Sequence, residues 1–274
     1  MLEYEHKHWS SGKKYLAGID EAGRGPLAGP VVSAAVILPQ DIELPGVNDS
    51  KKVSEKKREV LYVDIQEKAL CVGVGWADVA EIDEKNILQA TYQSMRQAVG
   101  NLRITPEILL VDGRKADIKH FRQESIIDGD EKSLSIAAAS IIAKVTRDGI
   151  MRQYDIVFPK YGFARHKGYG TKLHVEAITH CKATPIHRKS FNPVSNHLPT
   201  MAYIQRNRLL GELGEQLAAC ELIRNRHEII EMNYNVPNVG ELDIISRNKG
   251  DLVFTEVKTQ TAGHGWGEPG SQID

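Results

Sequence analysis

Two adjacent carboxylates followed by a glycine-rich turn, Asp20-Glu21-Ala22-Gly23-Arg24-Gly25-Pro26, come directly after a short apolar segment at residues 15–19. The apolar segment predicts a strand, and the glycines predict a sharp turn where that strand ends. Carboxylate oxygens suit a hard divalent cation, and a guanidinium suits phosphate. The stretch therefore favours a metal-dependent enzyme that acts on a phosphodiester, although a strand ending in a charged turn explains the same residues.

Apolar runs typical of strands alternate with helical patterns along the first half of the chain. The predicted strands are residues 15–19, 31–38, 70–77 and 108–111. The predicted helices are residues 55–68, with Ser54 as the N-cap, 84–99 and 135–154. This mixture indicates an α/β layered domain, and the close spacing of the first three strands predicts an antiparallel start. Close packing against a sheet explains the many small residues that open the third helix.

The bulk composition is that of an ordinary soluble protein with 41% hydrophobic and 26% charged residues. The net charge of −1 gives no support for nucleic-acid binding, so any such argument depends on local patches. The cysteines, at positions 71, 181 and 220, are too far apart to indicate a disulfide framework. No apolar run approaches the about 20 residues of a membrane span, and residues 1–14 lack a signal-peptide core. We therefore expect a cytoplasmic protein.

The composition changes at residues 192–199, where two prolines and little periodicity predict a linker. A helical pattern follows at residues 202–225, and strand-like segments follow at 228–232, 241–246 and 251–257. Residues 261–274 are rich in glycine and polar residues, and we expect them to be poorly ordered. The chain is therefore predicted to have two domains, residues 1–196 and residues 197–274.

Four acidic residues are candidates for a metal site: Asp20, Glu21, Asp112 and Asp130. Asp112 ends an apolar strand, a common position for functional carboxylates, whereas Asp130 could equally stabilise a helix N-terminus. Asp20 and Glu21 would point to opposite faces of a regular strand, so both reach one metal pair only if the strand breaks there. A cluster of such acids would bind two Mg²⁺ or Mn²⁺ ions for an in-line phosphoryl displacement.

Positive charge is concentrated in residues 151–195, where eight Lys and Arg face two acids, a balance of 8 − 2 = +6. This balance predicts a surface that follows phosphates. Tyr169 lies there between two glycines, which would leave its ring open for stacking on a sugar or base, with an ordinary turn tyrosine as the alternative. For a second basic group, Lys51-Lys52 with Lys56-Lys57-Arg58, solvated helix ends are the more common explanation, and a ligand is the alternative.

These motifs, in this order, resemble bacterial ribonuclease HII from about residue 14 to 195. The matching segments are Gly18-Ile19-Asp20-Glu21-Ala22-Gly23-Arg24-Gly25-Pro26 with its continuation to residue 30, Asn48-Asp49-Ser50-Lys51-Lys52, Val111-Asp112-Gly113, Gly129-Asp130, and residues 138–145, 166–171 and 185–191. The resemblance implies a ribonuclease H-like mixed sheet flanked by helices, and cleavage of RNA in RNA/DNA hybrids. It also implies cleavage 5′ to a ribonucleotide embedded in DNA, leaving a 3′-hydroxyl and a 5′-phosphate.

The resemblance further implies a divalent-metal site at Asp20, Glu21, Asp112 and Asp130. It implies that Gly23, Arg24 and Gly25 read the 2′-hydroxyl, the group that distinguishes RNA from DNA, and that Tyr169 stacks at the junction. No convincing sliding-clamp motif is present, so protein partners are left open, and a monomer is expected. A hybrid-binding module without catalysis is the rival hypothesis, but a binder has no need of crowded acids.

Residues after about 200 resemble a different family, which is restriction-endonuclease-like and largely of unassigned function. The matching segments are Gly214-Glu215, residues 240–245 and residues 253–258. An Asp followed one strand later by Glu-x-Lys is a metal-nuclease pattern, here Asp243, Glu256 and Lys258, although a charged edge strand would look similar. The match breaks off soon after Lys258, so we expect a partial α/β domain. A natural fusion, a truncated gene and an engineered chain all stay open.

Overall fold

A computed structural model of the chain describes residues 1–47, 50, 53–114, 116–238 and 240–260. The predicted poor order of residues 261–274 and the motif residues Asn48, Asp49, Lys51 and Lys52 lie outside the described residues. The chain divides into two compact units, Met1–Gly149 and Ile150–Asp274. The domain boundary between residues 196 and 197 stays a prediction. Among the described residues, no helix combines the length and the apolar character needed to cross a membrane.

The first unit contains a five-stranded mixed sheet. Its strands are β1 Leu16–Ala22, β2 Val31–Ile37, β3 Cys71–Ala77, β4 Ile108–Asp112 and β5 Gln123–Ile126, in the order β3-β2-β1-β4-β5. The antiparallel start predicted from the sequence is confirmed, because β1 pairs antiparallel with β2, and β2 with β3. β1 also pairs in parallel with β4, and β4 in parallel with β5.

In the part of the first unit that the structure describes, six helices begin. They are α1 Glu3–Trp9, α2 Glu55–Lys68, α3 Val79–Lys85, α4 Ile87–Gly100, α5 Gly129–Lys132 and α6 Leu134–Val157. Ser54 caps α2 as predicted, its hydroxyl accepting from the Lys57 N–H. The helix predicted at residues 84–99 is confirmed as α4 from residue 87 onward, but its predicted start is wrong. Asn86 adopts a φ of 77° and caps a new helix with its side chain, which separates α3 from α4.

The two faces of the central sheet are covered by different helices. Alternate strand residues point to opposite faces, so Ala34 and Val36 of β2 pack with residues of α2 and α6. Ala35 and Ile37 pack on the other face with Ala17 and Ile19 of β1 and with residues of α4. Helices on both faces of the sheet bury its central strands, and every residue of β2 is accordingly buried.

The approach of α6 to β1 is unusually close. A Cβ atom added to Gly18 would lie 2.1 Å from the carbonyl carbon of Ser135, so only glycine fits at this point of the strand. Ala137, Ala138 and Ala139 of α6 are fully buried. The packing explanation for the small residues of this helix is therefore confirmed, and the face of β1 that contains Gly18 lies directly against α6.

The second unit begins within α6 and contains short helices followed by a separate sheet. Its further elements are α7 Phe163–His166, α8 Lys172–Cys181, a 3-10 turn Val194–His197, α9 Met201–Arg206, α10 Leu210–Arg224, β6 Glu228–Val236, β7 Gly240–Asn248 and β8 Asp251–Thr255. The three strands form an antiparallel sheet in the order β6-β7-β8. The helix predicted at residues 202–225 is interrupted between α9 and α10, where Arg208 has a φ of 55°.

Candidate active site

The parallel pairing of β1 with β4 brings two of the predicted acids to one edge of the sheet. Ile19 is the register partner of Val111, so Asp20 and Asp112 are the next residues on neighbouring strands. Ligands of open α/β sheets bind outside the carboxyl ends of the strands, which is where both acids lie. The negative charge of Asp112 is close enough to raise the pKa of Asp20.

Asp20 is buried among other negative charges. Its side chain lies on the same face of β1 as Gly18, two residues earlier, and only 6% of the residue is exposed. Burial raises its pKa well above the usual range, and the charges of Glu21 and Asp112 raise it further. Two donors oppose this effect: the Glu21 N–H, 2.7 Å from Asp20 Oδ1, and the Ser140 hydroxyl.

Glu21 lies beside Asp20 and contacts the arginine of the glycine-rich turn. Glu21 Oε1 accepts from Arg24 Nη1 at 3.1 Å. The expectation that the strand breaks at Asp20 and Glu21 is wrong in one respect, because β1 continues and Ala22 still pairs with Val32 of β2. Only the parallel pairing with β4 ends before Asp20, since the last register partners of these two strands are Ile19 and Val111.

Asp130 belongs to the short helix α5, which is tied to the end of β4. The Gly129 N–H donates to Asp112 Oδ1 at 2.7 Å, and Asp130 follows in the first turn of α5 with 7% of its surface exposed. The N-cap of α5 is Asp128, for which the described residues show no side-chain capping bond. The structure thus places the four predicted acids at the ends of β1 and β4 and at the start of α5.

The chemistry of this acidic edge fits a hard divalent cation. The carboxylates offer oxygen atoms, the ligands that Mg²⁺ and Mn²⁺ prefer, and a cation would relieve the repulsion that raises the pKa of Asp20. Within the described ranges, no three His, Cys, Asp or Glu side chains are already arranged as a metal-binding group.

Arg147 of α6 packs against the glycine-rich turn and hydrogen-bonds to the segment that follows it. This buried guanidinium donates to the carbonyl oxygens of Pro30 and Ala28 at 3.0 and 3.1 Å. Gly23 has a φ of 99°, and a Cβ atom there would lie 2.0 Å from Arg147 Nε. Gly25 is exposed, and no described atom lies within 4 Å of the place a Cβ would take. The two glycines therefore have different roles, the first being required by the fold.

Sequence reasoning missed the contribution of α6, to which it assigned no chemistry. Ser140 donates to Asp20, and its hydroxyl oxygen lies 2.9 Å from that of Ser50, so two hydroxyls connect the acid to the neighbouring loop. The signal was a serine within a run of alanines on a helix that faces the sheet. Arg147 was likewise missed, since a charged residue near the middle of a helix usually faces solvent.

Tyr169 lies in the second unit, in a turn that exposes its ring. The side chain is 44% exposed, while its carbonyl accepts from the Thr171 N–H at 2.8 Å and from His174 Nδ1 at 2.9 Å. The basic surface predicted at residues 151–195 is wrong for two of its eight members, because Lys167 and Arg188 are buried. The Arg188 guanidinium lies 5.0 Å from the centre of the Phe191 ring, so it contributes to packing.

The predicted acids and lysine of the tail lie near one another. Asp243 Oδ2 accepts from the Val257 N–H at 2.6 Å, and Lys258 Nζ lies 2.5 Å from Glu256 Oε1. The bond and charge of Glu256, and then the charge of Asp243, raise the pKa of Lys258. The strand predicted to reach Val257 ends at Thr255, because the side chain of Asp243 takes the Val257 N–H.

The fold is shared with solved ribonucleases H. Ribonuclease H2 from Pyrococcus horikoshii is 27% identical, with a TM-score of 0.56, covering 71% of this chain and 99% of its own. A chain of the PCNA:RNase HII complex from Archaeoglobus fulgidus is 29% identical, with a TM-score of 0.56, covering 69% and 98%. The first of the two predicted folds is thereby confirmed, and the fold and the site define a ribonuclease H-like nuclease.

Sequence comparison gives the family. The model of the family Ribonuclease HII matches residues 17–194. Ribonuclease HII from Acetivibrio thermocellus is 59% identical over 191 residues, covering 70% of this chain and 75% of the relative. Ribonuclease HII from Enterococcus faecalis is 54% identical over 196 residues, covering 72% and 76%. The chain belongs to the ribonuclease HII family. A second model, described as Uncharacterised protein family UPF0102, matches residues 214–274, so the expectation that this second resemblance breaks off soon after Lys258 is wrong.

The glycine-rich turn yields a prediction about stability. Gly23→Ala should lower the free energy of unfolding by about 2 kcal/mol or more, since the new methyl group meets Arg147 and the φ of 99° disfavours alanine. Gly25→Ala should change it by less than about 0.5 kcal/mol, because the added Cβ meets open space. Urea denaturation of both variants measures the difference, and equal midpoints would contradict this account of the turn.

Proposed function

We propose that this chain is an endoribonuclease that cleaves the RNA strand of RNA/DNA hybrids and nicks DNA 5′ to embedded ribonucleotides. The products are a 3′-hydroxyl and a 5′-phosphate. The observation that carries the proposal is the acidic edge, where Asp20, Glu21 and Asp112 act on one another at the ends of two parallel strands. Membership of the ribonuclease HII family supports the same reaction and its dependence on a divalent metal.

Asp20, Glu21, Asp112 and Asp130 would hold two ions, Mg²⁺ or Mn²⁺. Bound there, the ions supply an activated water and stabilise the leaving oxygen of the phosphodiester. The protein orients the ligands. The Glu21 N–H and the Ser140 hydroxyl fix Asp20, and the Gly129 N–H fixes Asp112. Such outer partners keep ligand oxygens in place and are part of a metal site's affinity.

The glycine-rich turn would select the ribonucleotide. Gly25 has an exposed backbone with open space around it, which lets a 2′-hydroxyl approach the main chain. Arg24 has a side chain that is 52% exposed and contacts Glu21, so its guanidinium is placed beside the acids. Tyr169 would stack at the junction of ribonucleotide and deoxyribonucleotide with its exposed ring.

A duplex with one labelled ribonucleotide tests the reaction. We expect a single nick 5′ to the ribonucleotide with Mg²⁺ or Mn²⁺, no nick with chelator, and no nick in an all-DNA duplex. Asp20→Asn should lower kcat on the order of a thousandfold, because a metal ligand worth several kcal/mol is lost, while binding of the duplex persists. It should also raise the melting temperature without metal, since one of the crowded charges is gone.

The matched control is Asp128→Asn, the same substitution at an exposed acid two residues before Asp130. Asparagine tolerates the left-handed conformation found there, with a φ of 54°, so activity and stability should stay as in the wild type. Cleavage by Asp20→Asn at the wild-type rate would show that the metal-site assignment is wrong.

Gly25→Ala tests the reading of the 2′-hydroxyl separately from the fold. We expect kcat/KM for the single-ribonucleotide duplex to fall about tenfold. The added methyl group would keep the substrate away from the backbone, and this would cost about one hydrogen bond. Gly100→Ala, at the end of α4, is the control, since no described atom lies within 4 Å of its added Cβ either. Equal kcat/KM values for the two variants would remove Gly25 from substrate recognition.

A second candidate function belongs to the tail. We propose that residues 197–274 form a restriction-endonuclease-like domain whose site includes Asp243, Glu256 and Lys258. Two contacts support this grouping. Asp243 binds the backbone of Val257, inside the Glu-x-Lys segment. A Cβ atom at Gly214 would lie 1.8 Å from Thr259 Oγ1, so α10 packs against the residue that follows Lys258.

Substitutions in the tail distinguish this activity from the first. Lys258→Ala and Asp243→Ala should each reduce metal-dependent cleavage of branched or all-DNA substrates about a hundredfold, since the site would lose a ligand or a phosphate contact. The nick at a ribonucleotide should not change. Arg247→Ala removes an exposed cation from β7 of the same sheet and is the control. If the wild-type chain cleaves none of these DNA substrates with Mg²⁺ or Mn²⁺, the tail is not a nuclease.

A further inference from the structure

Three buried histidines lie together in the second unit, and two of them, His166 and His174, contact the backbone of Tyr169. His174 and His187 are fully buried, and His166 is 9% exposed. The rings of His166 and His174 stack with centroids 4.4 Å apart, and the Nε2 atoms of His174 and His187 lie 3.0 Å apart. Sequence reasoning gave none of the three a role.

The neighbours of the His174–His187 pair determine which nitrogen atoms carry hydrogen. The Tyr169 carbonyl, 2.9 Å from His174 Nδ1, can only accept, so this nitrogen is protonated. The Thr184 N–H, 2.9 Å from His187 Nδ1, can only donate, so this nitrogen is bare. His187 Nε2–H therefore donates to His174 Nε2. We call this one-directional chain from Thr184 through His187 and His174 to the Tyr169 carbonyl the histidine relay.

The histidine relay requires both rings to be neutral. A second proton on His174 would set its Nε2–H against the Nε2–H of His187. A second proton on His187 would set its Nδ1–H against the Thr184 N–H. Burial, opposed by few hydrogen bonds, lowers the pKa of His174 to about 4 and that of His187 to about 3. Both rings are thus uncharged near neutral pH, and the relay is intact there.

The relay is one of several contacts that hold the backbone of Tyr169. The Tyr169 N–H donates to the His166 carbonyl at 2.9 Å, and the Gly168 N–H donates to His166 Nδ1 at 3.2 Å. Lys167 and Gly168 both have positive φ angles, 52° and 81°, so the turn before Tyr169 is tightly defined. A fixed backbone beneath an exposed ring is the arrangement expected of a preorganised binding surface, which loses little entropy when a ligand binds.

We propose that His174 and His187 are positioning residues, which hold the Tyr169 carbonyl so that the ring is presented to the ribonucleotide-containing duplex. The inference rests on the proposed function, in which Tyr169 contacts the substrate. Neither histidine touches reacting atoms in this scheme. Their loss should therefore weaken binding and raise KM, and it should leave kcat nearly unchanged.

His174→Phe in the full chain tests the proposal, because phenylalanine fills the space but cannot donate to Tyr169. For the single-ribonucleotide duplex we expect KM to rise roughly tenfold, within the range of a stacking contact, with kcat within about twofold. His174→Asn, whose side-chain amide can donate from the place of Nδ1, should recover most of the affinity. His180→Phe, at an exposed position of α8, is the matched control and should leave KM unchanged.

A double-mutant cycle with Tyr169→Ala separates positioning from a general structural effect. If the relay acts through Tyr169, His174→Phe raises KM no further once the ring is absent. The relay would be overturned if the two substitutions raised KM additively. It would also be overturned if Tyr169→Ala raised KM and His174→Phe left it unchanged. An unchanged KM in Tyr169→Ala would instead overturn the substrate contact assigned to this ring in the proposed function. If His174→Phe does not fold, His187→Asn, which keeps the Thr184 contact and loses the bond to His174, is judged by the same KM criterion.

Discussion

The parallel pairing of β1 with β4 is the constraint on which the candidate active site depends. It aligns the last residues of two strands and so sets Asp20 beside Asp112. The contact of Gly18 with Ser135 then fixes α6 against the same strand. Two strand residues advance about 6.6 Å and five helix residues about 7.5 Å, which explains why Ser140 reaches Asp20. One strand pairing and one glycine thus position three of the groups at the site.

This arrangement places negative charge where the fold alone would not tolerate it. Asp20 is as buried as many core residues, and it keeps two carboxylate neighbours. The Ser140 hydroxyl and the Glu21 N–H offset only part of that cost, as the raised pKa shows. A buried charge that is only partly compensated is a feature of sites that bind a cation, and this is the role proposed above for Asp20.

Much of the first unit could be predicted from the sequence because its signals are local. β2 is an apolar run, and α2 begins after a serine cap. The acidic motifs follow one another along the chain in the order that carried the family resemblance. β5 was missed, since Gln123–Ile126 is short and largely polar, and its pairing with β4 is a tertiary property. The division between α3 and α4 depends on one asparagine in an unusual conformation. The burial of Lys167 and Arg188 could not be predicted from the local charge balance. That balance gives the positions of cations in the sequence, but not the residues that pack around them.

The neutrality of the histidine relay has a consequence for acid–base chemistry in this molecule. Histidine is normally the side chain that ionises near neutral pH, and for this reason it is the usual candidate for a general acid or base. With pKa values of about 4 and about 3, His174 and His187 gain no proton in that range. A limb of the pH–rate profile between pH 6 and 8 would therefore report a different group, although two histidines belong to the hydrogen-bonded chain that ends at the Tyr169 carbonyl.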